Sequence, residues 1–163
     1  MNEVATSALV PPLGTHDRDE VGNQLQATLV ELVDLSLLGK QLHWSVVGRE
    51  FRSLHLHLDE LIDSWRELGD TVAERAVALG YFPDGQAAAV TEGSEVEPVE
   101  RGAIEDHEVV RLLAHRLADV SERIRARMDR LGEQDIASQD VLVDVIRALE
   151  EQLWMVRAQL PHG

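Results

Sequence analysis

The chain has no cysteine, which excludes disulfides and thiolate metal sites and is compatible with a reducing compartment. Proline is scarce, five residues in 163, and aromatic residues make up only 4%. Sheet domains draw on β-branched and aromatic residues punctuated by turns. An apolar content of 44% built mostly from Leu, Val and Ala points to helices instead. No apolar run approaches the ~20 residues of a membrane span. The N-terminus has neither a basic start nor a long apolar segment, so a cytoplasmic location is expected. Positive charge is short as well: fifteen Lys and Arg stand against thirty Asp and Glu, a formal charge of −15. That balance disfavours nucleic acid and anionic lipid and suits a collector of cations. Lysine is almost missing, since Lys40 is the only one.

What remains is a set of helical patterns long enough for one domain with a real core. Residues 1–16 read as an extended tail, with Pro11, Pro12 and Gly14 opposing helix. Residues 17–160 form the domain. Asp17 with Glu20 offers a capping box for a first helix, whose face Val21, Leu25, Leu29, Leu32 and Ser36 is widened by Val33 and Leu37. It runs to about Trp44, and Gly48 ends the connection. A second helix spans Phe51 to about Leu79, with Leu54, Leu58, Leu61, Leu68 and Val72 at helical spacing, and Gly80, Pro83 and Gly85 stop it. Residues 80–103 form a long crossover with room for a helical turn at Ala87 to Val90. A third helix runs from about Ile104 to Leu131, with Gly132 suited to cap its end, and Ser138 is placed to cap a fourth helix carrying Leu142, Val145, Leu149 and Leu153. The expectation is an all-α four-helix bundle without strands, its crossover joining parallel second and third helices.

The chemistry concentrates between Lys40 and Arg75. His55 and Asp59 are four apart on one helical face, and Asp70 and Glu74 make a second such pair. Eleven residues separate Asp59 from Asp70, about 16 Å of helix rise. Metal–ligand bonds measure ~2.0–2.6 Å, so one straight helix cannot hold one metal with both pairs. Two copies packed antiparallel about a two-fold axis near Ser64 and Trp65 would bring Asp59 of one copy to Asp70 of the other. The spacing therefore argues for two identical sites shared between subunits. His, Asp and Glu without Cys suit Fe, Mn or Zn alike. The residues three before each histidine are all non-acidic, so the intrachain Glu-x-x-His element of larger di-iron bundles is absent.

The order His43, His55, Asp59, Asp70, Glu74 resembles the ferroxidase signature of the Dps family, the mini-ferritins. Supporting matches are His43-Trp44, the V-x-G turn ending at Gly48, Phe51, Leu54-His55, Asp59-Glu60 and Ala73-Glu74-Arg75. The resemblance covers most of the chain. It implies a ferritin-like bundle assembled into a hollow dodecamer, with iron as the metal and di-iron sites across two-fold interfaces. His43 and His55 would come from one subunit, Asp70 and Glu74 from its partner, and Asp59 would bridge or assist. Hydrogen peroxide, with O2 as the alternative oxidant, and a ferric oxide mineral are implied too. The resemblance also places Lys40 against a site carboxylate or iron-bound water, although it reads equally as the last ion-pair partner of a polar stripe. Asp135, Asp140 and Asp144 resemble acidic residues of the family's three-fold pores, a pattern that the macrodipole at a helix start also favours.

Trp44 and Trp65 fall beside the expected site and axis, and packing is their default role, as for Trp154. Glu60, Asp63 and Glu67 read as solvated charges unless they face a mineral cavity. Arg116, Arg123, Arg127 and Arg130 form a stripe interleaved with acids, which suggests intrahelical pairing. Two other classes of function stand beside the ferroxidase. One is a nucleoid-compacting DNA-binding shell, which would need a Lys/Arg-rich tail; residues 1–16 hold neither Lys nor Arg, so DNA binding is not expected. The other is an acidic helical scaffold with a vestigial or zinc-filled site.

Overall fold

The computed structural model describes residues 11 and 13–160. Most of the expected tail, together with Pro161 and His162, lies outside them. The elements run α1 (Thr15–Ser45), β1 (Val46–Val47), α2 (Phe51–Ala78), α3 (Ala87–Gly93), β2 (Ile104–Glu105), α4 (Asp106–Leu131) and α5 (Ile136–Arg157). The four long helices are the expected bundle, and the two short strands that precede α2 and α4 run side by side in the same direction. Leu25, Leu32, Leu35 and Leu42 of α1 meet Leu58, Ile62 and Trp65 of α2 and Leu113, Leu117 and Ile124 of α4 in one core. Each fully buried Leu or Ile contributes about 1.5–3 kcal/mol. The wholly buried Trp65 keeps its polar atom satisfied, since Nε1 donates to Oε1 of Gln152 at 2.7 Å and Gln152 Nε2 donates to Ser64 Oγ at 3.0 Å.

Four expectations need correction. The helix α1 starts at Thr15, with Gly14 at its N-cap and no side-chain cap, so Asp17 sits in the first turn and forms no capping box with Glu20. The fold also contains a strand pair. β1 and β2 run parallel with Val46 opposite Ile104 and Val47 opposite Glu105, because backbone between helices still needs hydrogen-bond partners. The third helix therefore starts at Asp106 rather than Ile104. For α5 the cap is Asp135, whose carboxylate accepts from the Ser138 backbone N–H at 3.2 Å; Ser138 lies inside the helix.

The fourth correction is the arginine stripe. Arg123 and Arg127 reach across to Glu31 of α1, which is fully buried, with Arg127 Nη1 at 2.5 Å. Arg116 donates to the Glu97 carbonyl at 2.9 Å and lies 3.1 Å from its carboxylate, which ties the crossover down. These arginines join elements distant in sequence. Deleting the Glu31 carboxylate would leave the buried Arg127 and the partly buried Arg123 without their shared partner, a cost of about 3–5 kcal/mol.

Candidate metal centre

The site is set by the turn from α1 into α2. Gly48 takes φ 121°, a conformation that side chains resist. A Cβ there would also come within 2.5 Å of the Asp106 carboxylate. That carboxylate accepts from the Glu50 N–H at 2.8 Å, the main reason its pKa lies below the ordinary range. Thus the start of α4 clamps the turn, and the turn brings the last turn of α1 beside the first turns of α2.

His43 and His55 meet there with their rings stacked, centroids 3.6 Å apart and planes at 21°. His43 Nδ1 donates to the His55 carbonyl at 2.9 Å, and His55 Nδ1 donates to the His43 carbonyl at 3.0 Å. Carbonyl oxygens only accept, so both Nδ1 atoms carry protons, and the tautomer this selects for a neutral imidazole has its lone pair on Nε2. Binding the far nitrogen to a carbonyl fixes tautomer and ring orientation, which is how histidines are prepared for metals. Phe51 packs at 5.0 Å from the His55 ring. Asp59 stands one turn along from His55. Its Oδ1 accepts from the Lys40 ammonium at 2.5 Å and lies 3.4 Å from His43 Nδ1. The Lys40 hydrogen bond holds the Asp59 pKa below the usual carboxylate range, against a smaller upward push from burial. Lys40 is therefore in contact with the carboxylate of the site, neutralising it as a metal would.

The other pair is elsewhere. Asp70 and Glu74 are exposed on the same face of α2, about 16 Å of helix rise beyond Asp59. A single chain does not bring them to the histidines. Among the described residues neither has a hydrogen-bond or ion-pair partner. Asp70 borders a groove of about 400 Å³ between α1 and α2, floored by Leu32, Trp65 and Gly69 and edged by Leu37, which is 58% exposed. Trp44 points outward beside His43, 71% exposed.

The three acids of α5 part company. Asp135 is occupied as the N-cap, bound by the Ser138 hydroxyl and by Arg75 Nη2 at 2.7 Å. Burial pushes its pKa up, but those two donors outweigh it and leave the group below the ordinary range. Asp140 and Asp144 are exposed, the latter 3.4 Å from Arg147. Sequence reasoning missed the two carbonyl latches, the Asp106 clamp and the Arg75 bridge to α5. Only Arg75 carried a local signal, its place directly after Glu74. Glu105, Asp106 and His107 also cluster within 4.8 Å, but the Asp106 oxygens are already engaged by the Glu50 and His107 N–H groups.

A family model described as a ferritin-like domain matches residues 22–162. A DNA protection during starvation protein of Mycolicibacterium smegmatis is 33% identical over 157 residues, covering 95% of this chain and 85% of that protein. DNA protection during starvation protein 2 of Deinococcus radiodurans is 30% identical over 153 residues, covering 94% of this chain and 64% of the relative's length. The solved Mycobacterium smegmatis Dps in its tetragonal form superposes with a TM-score of 0.90 at 30% identity, covering 95% and 94% of the two chains. With the bundle, the long crossover and these likenesses together, the chain belongs to the Dps family of ferritin-like proteins, the mini-ferritins.

Proposed function

We propose that this protein is a ferroxidase and iron-storage subunit whose di-iron site is completed by a second copy. The observation that carries the reading is the latched imidazole pair: both Nδ1 atoms are held by backbone carbonyls, which leaves the Nε2 atoms for a metal, and the Asp59 carboxylate lies 3.4 Å from His43 Nδ1. Neutral imidazole with anionic oxygen holds Fe(II) without suppressing its redox chemistry, and carboxylate charge stabilises the ferric product. One chain supplies three of the five ligand groups, His43, His55 and Asp59. The partner subunit's Asp70 and the partner subunit's Glu74 supply the others. Two substrate ferrous ions held together give one electron each to a single hydrogen peroxide molecule. Its O–O bond breaks, both oxygens leave as hydroxide or water, and no hydroxyl radical is released. The family's dodecameric shell would store the ferric oxide, and Asp140 and Asp144 would attract ferrous ions towards it.

The deciding experiment is complementation. A His43→Ala/His55→Ala chain and an Asp70→Ala/Glu74→Ala chain should each lose rapid peroxide-dependent Fe(II) oxidation, followed by absorbance. Co-expressed at equal levels, they pair at random and should recover about a quarter of wild-type sites, because each mixed dimer regains one of two. Absence of recovery in demonstrably mixed dimers would sink the shared site.

The relatives' names invite a DNA-shell reading. Arg116, Arg123 and Arg127, the part of the stripe with contacts in hand, are engaged inside the fold. A dodecamer would carry a formal charge of about −180. Chelator-treated protein should leave plasmid mobility unchanged at neutral pH and physiological salt.

A further inference from the structure

The exposed seam of α2 contains a third pair that the metal reading does not use. His55, Asp59, Asp63, Arg66, Asp70 and Glu74 follow one another at intervals of four, four, three, four and four residues. At about 100° per residue all six fall within one sector of about 100° on the helix. The stripe is positionally palindromic. His55 with Glu74, Asp59 with Asp70, and Asp63 with Arg66 are each centred between Ser64 and Trp65. The two outer pairs set acid against acid or acid against imidazole, and need a metal between them. The inner pair alone sets opposite charges against each other.

We propose that Asp63 and Arg66 form a reciprocal ion pair across the two-fold axis and fix the register in which the shared site assembles. The partner is a second copy of this chain, and the inference rests on the shared-site reading. Within one chain the pair is poorly used: Arg66 Nη1 lies 3.7 Å from Asp63 Oδ1, with the side chains 58% and 74% exposed. Arg66 also edges the apolar groove with Asp70 and Trp65, so a docked copy would cover it. In an antiparallel pair of helices, axes about 8–10 Å apart, Asp63 faces the partner subunit's Arg66, and the contact occurs twice. Slipping one turn in one direction sets Asp63 against an aspartate, Asp70. The opposite slip sets Asp63 against the apolar Ile62 and spends Arg66 on Asp59, which Lys40 already neutralises. Only the central register satisfies both charges and brings Asp70 to Asp59.

The test uses metal-free full-length protein, so that association is read without iron. Asp63→Arg and Arg66→Asp should each weaken dimerisation in sedimentation about tenfold or more, because like charges then face each other twice. Co-expressed with different tags, the two variants should pair with each other at near wild-type affinity and regain peroxide-dependent Fe(II) oxidation. The intrachain contact stays broken in both chains of that mixture, so recovery can only come from across the axis. A mixture no tighter than either variant alone, with helicity intact by circular dichroism, would overturn the proposal. So would a doubly exchanged Asp63→Arg/Arg66→Asp chain that dimerises normally when the mixture does not. Should a reversal misfold, Asp63→Asn and Arg66→Gln carry the same comparison, and unchanged association in both would overturn it. Recovery in the histidine/carboxylate complementation without recovery here removes the register pair and leaves the shared site standing.

Discussion

The two ends of α2 each hold candidate iron ligands, yet only one is built by the chain that carries it. At the first end the ligand groups are held in place by the chain's own contacts: His55 Nδ1 by the His43 carbonyl, its ring by His43 and Phe51, and Asp59 by Lys40. At the other end Asp70 and Glu74 stand in solvent. A ligand group fixed by its own fold is preorganised and resists loss. One left exposed keeps its charge free for something that arrives later. The contrast teaches that this chain preorganises one set of candidate ligands and leaves the other without a contact of its own.

The sharpest way to separate the ends is to delete each and read stability beside chemistry. Asp70→Ala/Glu74→Ala should abolish fast Fe(II) oxidation while changing unfolding free energy by no more than about 0.5 kcal/mol, as for exposed positions generally. Gly48→Val should do the reverse in kind. It forces a β-branched residue to positive φ against Asp106, costs at least about 1–3 kcal/mol, and loosens both histidine latches; urea unfolding and Co(II) binding would register both. Equal stability losses from the two changes would erase the distinction.

A second comparison lies in Asp135, which belongs to the carboxylate end through Arg75. Asp135→Ala should cost about 1–2 kcal/mol through the lost cap, whereas Asp140→Asn/Asp144→Asn should leave stability alone and slow iron uptake, less so at high salt. If all three behave alike, the assignment of Asp135 to capping fails.

The smallest expected effect is that of pH on the Lys40–Asp59 contact. The Lys40 hydrogen bond depresses the folded pKa of Asp59 below the ordinary carboxylate range. Its stabilising contribution is thus present above the unfolded pKa and is lost as pH falls through the folded value, below about pH 4. Lys40→Met should remove that acid-dependent component, visible as a reduced difference in unfolding midpoint between pH 6 and pH 3. The same variant should bind Co(II) more tightly at neutral pH, because the metal no longer displaces an ammonium.

Much of this was legible in the sequence, and the exceptions share a cause. Repeating apolar positions located four long helices, since Leu54, Leu58 and Leu61 report a period that only a helix satisfies. Ligand spacing separated the two ends of α2 for the same reason. Periodicity could not find Glu31 with Arg123 and Arg127, partners more than ninety residues apart. It suggested intrahelical pairs because it sees only neighbours. The β1–β2 contact is two residues long and arises from docking, without any strand pattern of its own. At α5 both Asp135 and Ser138 are cap residue types, and the one that caps, Asp135, is also bound by Arg75 from another helix, a contact that local pattern does not reveal.

Lys40 has a practical consequence for anyone handling the protein. With its one lysine ammonium hydrogen-bonded to Asp59 and 29% exposed, the sequence offers amine-directed reagents a single, partly covered side chain. Glutaraldehyde or succinimidyl cross-linking would therefore under-report assembly, and carboxyl-directed coupling is the appropriate chemistry. The same poverty makes a label: mild acylation confined to one lysine would report directly on whether Asp59 still holds it.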